Sequence, residues 1–179
     1  YVVDPADIPR VVSDAALLVR DGNIIVFGSA ALAFRLPNAP KTRDVDLWCE
    51  PPERGDIVTV FMGELSWYSE KHGTYVEVWG PETFAAPQKW RSRAQVLTND
   101  DAPLVRLIIP HPHDILLAKL ERWEPQDRTH ASLILAAFPL SAQALGALVF
   151  ESPYRAGRIT DAERLMRFEA HLKELTTML

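Results

Sequence analysis

The sequence predicts an α/β (α+β) protein: a mixed β-sheet core flanked by helices, followed by a C-terminal helical extension. Three observations point there. Short apolar runs, Ile24 to Phe27, Asp44 to Cys49 and Tyr75 to Trp79, alternate with helical stretches in the first part of the chain. From Pro112 onward the apolar residues switch to the three-and-four spacing of helices. The chain has 179 residues, 47% hydrophobic and 24% charged, which is enough to build a full core and argues against disorder. The expected division is a core over residues 1–110 and a helical region over 111–179 packed on it.

In chain order, Asp14 to Arg20 reads as a short helix, and Gly22-Asn23 as the turn into the buried strand Ile24 to Phe27. Gly28 ends that strand. The alanine- and leucine-rich stretch Ser29 to Leu36 predicts a helix that Pro37-Asn38-Ala39-Pro40 breaks. Asp44 to Cys49 is the second strand, closed by Pro51-Pro52, and a helix follows from about Ile57 to Leu65. Tyr75 to Trp79 alternates between Gly73 and Gly80 as a third strand. Ala94 to Leu97 and Leu104 to Ile109, joined by Asn99-Asp100-Asp101, read as a hairpin. Helices are then expected from Pro112 through Leu120, over Thr129 to Phe138, over Ser141 to Phe150, and from Thr160, whose spacing to Glu163 is that of a capping box.

Composition excludes some function classes. No apolar run approaches the length of a bilayer span, so no membrane association is expected. A single cysteine, Cys49, rules out an internal disulfide and a cysteine-based zinc cage within one chain; it reads as a packing residue and favours a reducing, cytoplasmic setting. The net charge of −5 gives no global attraction to phosphate backbones, so nucleic-acid contact would depend on local basic patches.

The chemistry concentrates at Gly28-Ser29 and at Asp44-Val45-Asp46. A glycine at a strand-to-helix turn lets backbone approach a ligand, and the helix start offers N–H groups to a phosphate. Side chains alternate along a strand, so Asp44 and Asp46 share a face with backbones roughly 6.6 Å apart, close enough to hold one divalent cation or a close pair. Two carboxylates beside the apolar Trp48 and Cys49 need a counter-charge: Arg43 is one candidate, magnesium with a nucleotide phosphate the sharper one. A solvated strand edge is the bland alternative. Glu77 is the one carboxylate of the third strand.

The order Gly28-Ser29, then Asp44-Val45-Asp46, then Glu77 between Val76 and Val78 resembles the signature of the polymerase-beta-type nucleotidyltransferases. Within that superfamily the likeness is to small bacterial nucleotidyltransferases of the abortive-infection and toxin–antitoxin type, whose later helical stretch carries a lysine and then an aspartate, as Lys119 and Asp127 do here. The resemblance covers about Ile24 to Leu135. It implies a nucleotidyltransferase-like core in which Gly28, Ser29, Arg43, Lys119 and Asp127 attend the nucleotide. Asp44 and Asp46 would ligate magnesium, two ions in all, and Glu77 would complete a metal site or take the acceptor's proton. The substrate would be a nucleoside triphosphate, the acceptor an RNA end, a protein side chain or a small molecule, and the toxin–antitoxin likeness implies an antitoxin partner. Glu77 departs from the family's more usual aspartate, and Arg122 to Gln126 occupies a place where the family's helix pair is tighter.

Other motifs carry less. His111-Pro112-His113-Asp114 reads as a helix start in preference to a zinc site, since no third ligand lies nearby. Lys89 to Arg93 is a basic segment with one aromatic, suited to phosphates or a stacked base, or simply a basic loop. No Gly-x-Ser-x-Gly elbow anchors a hydrolase triad. Two further classes stand beside the transferase: an inactive nucleotidyltransferase fold serving as a binding or regulatory module, and a helical interaction protein.

Overall fold

The computed structural model describes residues 1–179 and groups them into two compact units, residues 1–83 with 94–110, and residues 84–93 with 111–179. The first unit begins with a 3-10 turn, Pro5–Asp7, and continues as α1, Ile8–Val19. Ile8, Val11, Val12, Ala15, Ala16 and Val19 recur at helical spacing and are all buried, so one whole stripe of α1 enters the core. The helix starts well before the expected Asp14. Pro9 sits in its first turn, where a missing N–H costs no intrahelical bond.

The unit continues with β1 (Gly22–Val26), α2 (Gly28–Leu32), β2 (Val45–Glu50), α3 (Gly55–Met62), α4 (Trp67–His72), β3 (Val76–Val78), β4 (Gln95–Asn99) and β5 (Ala102–Ile109). The five strands form one mixed sheet in the order β3-β2-β1-β5-β4. β1 runs antiparallel to β2 and parallel to β5, β2 and β3 are parallel, and β4 and β5 make the expected antiparallel hairpin. The central place of β1 explains its unbroken apolar run: Ile24, Ile25 and Val26 are fully buried, each stabilising the fold by about 1.5–3 kcal/mol. Cys49 packs in the core as expected, and burial pushes its thiol up to about 12, which leaves it inert.

The short helix α4 was not legible from apolar periodicity, because six residues hold fewer than two turns. Its ends are marked instead: the Ser66 hydroxyl accepts from the Ser69 N–H, and Gly73 closes the helix at φ 66°.

The second unit comprises α5 (Trp90–Arg93), α6 (Pro112–Ala118), α7 (Pro125–Ala137), α8 (Ala142–Glu151) and α9 (Ala162–Thr177). His111 and Pro112 start α6 as read: the Nδ1 atom of His111 accepts from the His113 N–H, and His113 Nε2 meets the Phe138 carbonyl at 2.7 Å. α7 begins at Pro125, ahead of the expected Thr129, because Glu124 and Asp127 close a capping box around its first turn. α9 is capped by Asp161 where the sequence reading had Thr160. The carboxylate accepts from the Arg164 N–H at 2.9 Å and its charge suits a helix N-terminus.

Ion pairs fasten this unit internally. Arg93 grips the fully buried Asp114 through two hydrogen bonds of 3.0 and 2.8 Å and reaches Glu151 at 3.2 Å. Glu121 receives Arg164 at 2.8 and 2.9 Å, Arg167 at 3.1 Å and the Tyr154 hydroxyl, and Tyr154 stacks on buried Phe168 at 4.2 Å. Hydrogen bonds from Arg164 above all hold the Glu121 carboxyl down at about 2. No helix is long and apolar enough to cross a membrane.

Candidate active site

Asp46 lies within β2 and Asp44 one residue before it, while Glu77 is the register partner of Asp46 on the parallel strand β3. Strand alternation and this register bring the three carboxylates together. They are half-buried, and their ligand oxygens all lie within 4.8 Å of one another. Backbone bonds flank the cluster and hold its register: the Val45 N–H donates to the Tyr75 carbonyl at 3.0 Å, and the Trp79 N–H to the Leu47 carbonyl at 2.9 Å. Upstream, Val3 and Thr42 exchange a pair of backbone bonds, and the Thr42 hydroxyl donates to the Asp44 carbonyl at 3.2 Å.

Two neutral donors answer the aspartates. The Tyr75 hydroxyl donates to Asp44 Oδ2 at 3.3 Å and the Trp79 indole N–H to Asp46 Oδ1 at 2.9 Å. Burial, and then the charge of Asp44, push the Tyr75 pKa up, so its hydroxyl keeps its proton. Burial first, then Asp44 and Glu64, raise the Glu77 carboxyl above the usual glutamate range, with Arg43 acting the other way. Arg43 itself is exposed and pairs with Glu64 at 3.8 Å.

Gly28 sits against this cluster. Its φ of +63° is one that side chains rarely adopt, and a Cβ there would lie 2.8 Å from Asp46 Oδ2. The Phe27 N–H donates to the Asp46 carbonyl at 3.1 Å, tying the strand end to the same residue. α2 starts at Gly28 itself, and a turn carries on from its end to Leu36, whose N–H donates to the Leu32 carbonyl at 2.8 Å. Gly28→Ala is expected to cost about 1–2 kcal/mol in backbone strain and to turn the Asp46 carboxylate away from its indole partner. Denaturant melts would report the first and a weakened Mn2+ affinity the second.

The remaining sequence-derived candidates lie in the second unit or at the surface. Lys119 and Asp127 do meet, across the break at Pro125: Lys119 Nζ donates to Asp127 Oδ1 at 3.0 Å, with the lysine 7% exposed and the aspartate fully buried. Arg122 adds bonds of 3.2 and 3.0 Å to the same carboxylate, and the Glu124 N–H a fourth at 2.9 Å. Within the basic segment, Arg93 is taken up by Asp114 and Glu151, while Arg91 lies over the Trp90 ring at 5.0 Å. Sequence reasoning passed over Tyr75 and Trp79 as strand residues. Their signal was present, since residues 75, 77 and 79 share one face at a period of two.

The donor set suits a hard divalent cation. It consists of carboxylate oxygens alone, without imidazole or thiolate, which is the chemistry of magnesium, calcium or manganese sites. Opposite oxygens around one magnesium are about 4.2 Å apart, so the observed spacing matches one ion with slight closure, or a close pair of ions. No curated protein and no solved structure matches the chain significantly. Residues 7–176, nearly the whole chain, match the model of one family, and the chain accordingly belongs to the nucleotidyltransferases of unknown function (DUF6036).

Proposed function

We propose that the protein is a magnesium-dependent nucleotidyltransferase that moves a nucleoside monophosphate from a triphosphate to a hydroxyl acceptor and releases pyrophosphate. The observation that carries this reading is the cluster of Asp44, Asp46 and Glu77 beside the glycine turn at Gly28. Asp44 and Asp46 would hold the cation, with Glu77 completing the site or accepting the proton of the attacking hydroxyl. A bound divalent ion supplies charge neutralisation to the triphosphate and its leaving group. The chain's own contribution is positioning: the half-buried carboxylates are preset by the β2–β3 register. For Gly28 and Ser29 the proposed role, holding the triphosphate at the strand-to-helix turn, rests on the family resemblance. Arg43, exposed and paired with Glu64, adds positive charge near Glu77. For Lys119 and Asp127 the proposed roles, neutralising a phosphate and orienting that lysine, rest on the family resemblance. The same resemblance supports an RNA end or protein side chain as acceptor and a setting in phage defence or toxin–antitoxin pairs.

The test is label transfer. The protein is incubated with magnesium and each of the four alpha-labelled nucleoside triphosphates, with RNA and cell extract as acceptors and Asp46→Asn as control. Transfer by the parent protein that the substitution abolishes is expected. Equal labelling by both proteins, or no labelling by either, overturns the reading.

A further inference from the structure

Three like charges within 4.8 Å repel one another, and a site that must accept a cation has to hold them in place before the cation arrives. The chain supplies that restraint from one strand. Tyr75, Glu77 and Trp79 are spaced by two, and extending the observed pairing of Val45 with Val76 and Asp46 with Glu77 sets Tyr75 opposite Asp44. The residues two before and two after Glu77 each direct a neutral donor at a different aspartate, Tyr75 at Asp44 and Trp79 at Asp46.

We infer that Tyr75 and Trp79 are positioning residues of the carboxylate centre, setting the orientations in which Asp44 and Asp46 meet a divalent cation; this rests on the metal-site reading above. Each carboxylate oxygen has two lone-pair directions, so accepting one N–H or O–H leaves capacity for a metal while removing rotational freedom. For Asp46 the restraint is two-sided. Oδ1 takes the indole N–H, and Oδ2 lies where Gly28 leaves no Cβ to displace it. Tyr75 is itself immobilised: it is 1% exposed, and the Tyr1 ring packs edge-on against it at 5.6 Å. Trp79 is 44% exposed, and its indole N–H is directed at the carboxylate of Asp46. Partners of this kind around metal ligands typically carry about 10–100-fold in metal affinity or activity.

The experiment measures Mn2+ binding by the paramagnetic signal of free Mn2+, on the full chain without nucleotide. It compares the parent protein with Tyr75→Phe, Trp79→Phe and Asp46→Asn, and records melting temperatures in chelator alongside. Tyr75→Phe removes only a hydroxyl, and Trp79→Phe keeps an aromatic ring while removing the N–H. We expect Mn2+ affinity to fall about tenfold in each, with melting in chelator within about two degrees of the parent protein. Parent-like Mn2+ affinity in both phenylalanine variants, with Asp46→Asn impaired, overturns the positioning role and leaves the metal site standing. Mn2+ binding that Asp46→Asn does not weaken overturns the metal site itself. A fall in affinity matched by a large fall in melting temperature assigns the two residues to the scaffold and rejects the positioning role.

Discussion

Glu77→Gln is expected to cut nucleotidyl transfer on the order of a thousandfold, about 4 kcal/mol of transition-state stabilisation, and in the same protein to raise the melting temperature measured in chelator. The two effects share one cause. Burial, with Asp44 and Glu64 nearby, raises the folded-state pKa of Glu77. A carboxyl raised in this way favours folding only while protonated, so its contribution is present below the usual glutamate value of about 4.3 and is lost as pH rises through the folded value. At neutral pH the ionised group opposes folding, and glutamine removes that opposition while keeping the shape. The stability difference between parent and variant should therefore be present at pH 7 and shrink below about pH 4. Added magnesium should raise the melting temperature of the parent protein and, with Asp44 and Asp46 retained, raise that of the variant by no more than that. A variant that melts lower than its parent in chelator at pH 7, or that transfers label at the parent rate, would contradict this account of the cluster.

Asp127→Ala should produce the largest loss of stability, about 3–5 kcal/mol, because it strands a buried lysine without its carboxylate. Lys119 is 7% exposed, and Asp127 also takes two bonds from Arg122 and caps α7 through the Glu124 N–H. Burial by itself would raise the Asp127 pKa, but the Arg122 bonds and the charge and bond of Lys119 outweigh it, and the carboxyl ends below its usual range. The sign follows: the stabilisation is complete above the ordinary aspartate value and disappears as pH falls through the lowered one. Nearby His130 adds no positive charge at neutral pH, since burial, with Lys119 beside it, pushes it down to about 4. Urea titration at pH 7 would read the loss. The double substitution Lys119→Met with Asp127→Leu should recover most of it, because no buried charge is left uncompensated. A cost under about 1 kcal/mol for the single change would mean the pair does not carry the helical unit.

Asp44 and Asp46 were legible because strand alternation is a local rule: two carboxylates spaced by two must share a face, whereas Glu77, on another strand, joined them only through the resemblance to a family signature. Gly28 was legible as a turn. That its missing Cβ makes way for Asp46 was not, since the approach joins residues on different elements. Tyr75 and Trp79 were passed over because an aromatic in an alternating strand is ordinary β composition. Only the pairing of β3 with β2 turns them into donors aimed at carboxylates.

Helix starts show the same division. Ser66, Asp161 and the pair Glu124 and Asp127 act through bonds to their own neighbours, and such signals are local to a stretch of sequence. The strand order β3-β2-β1-β5-β4 cannot be found that way, because pairing is decided by which apolar faces fit together over long separations. For this protein, sequence order and alternation were enough to specify a mixed α/β core and the Asp44 and Asp46 pair, and the resemblance to a family signature added Glu77. The tertiary structure decided how closely those carboxylates meet, which neutral groups restrain them, and that Lys119 and Asp127 find each other across a helix break. Distance and orientation between remote segments come from packing and register, and neither is written in the spacing of residues along a single segment.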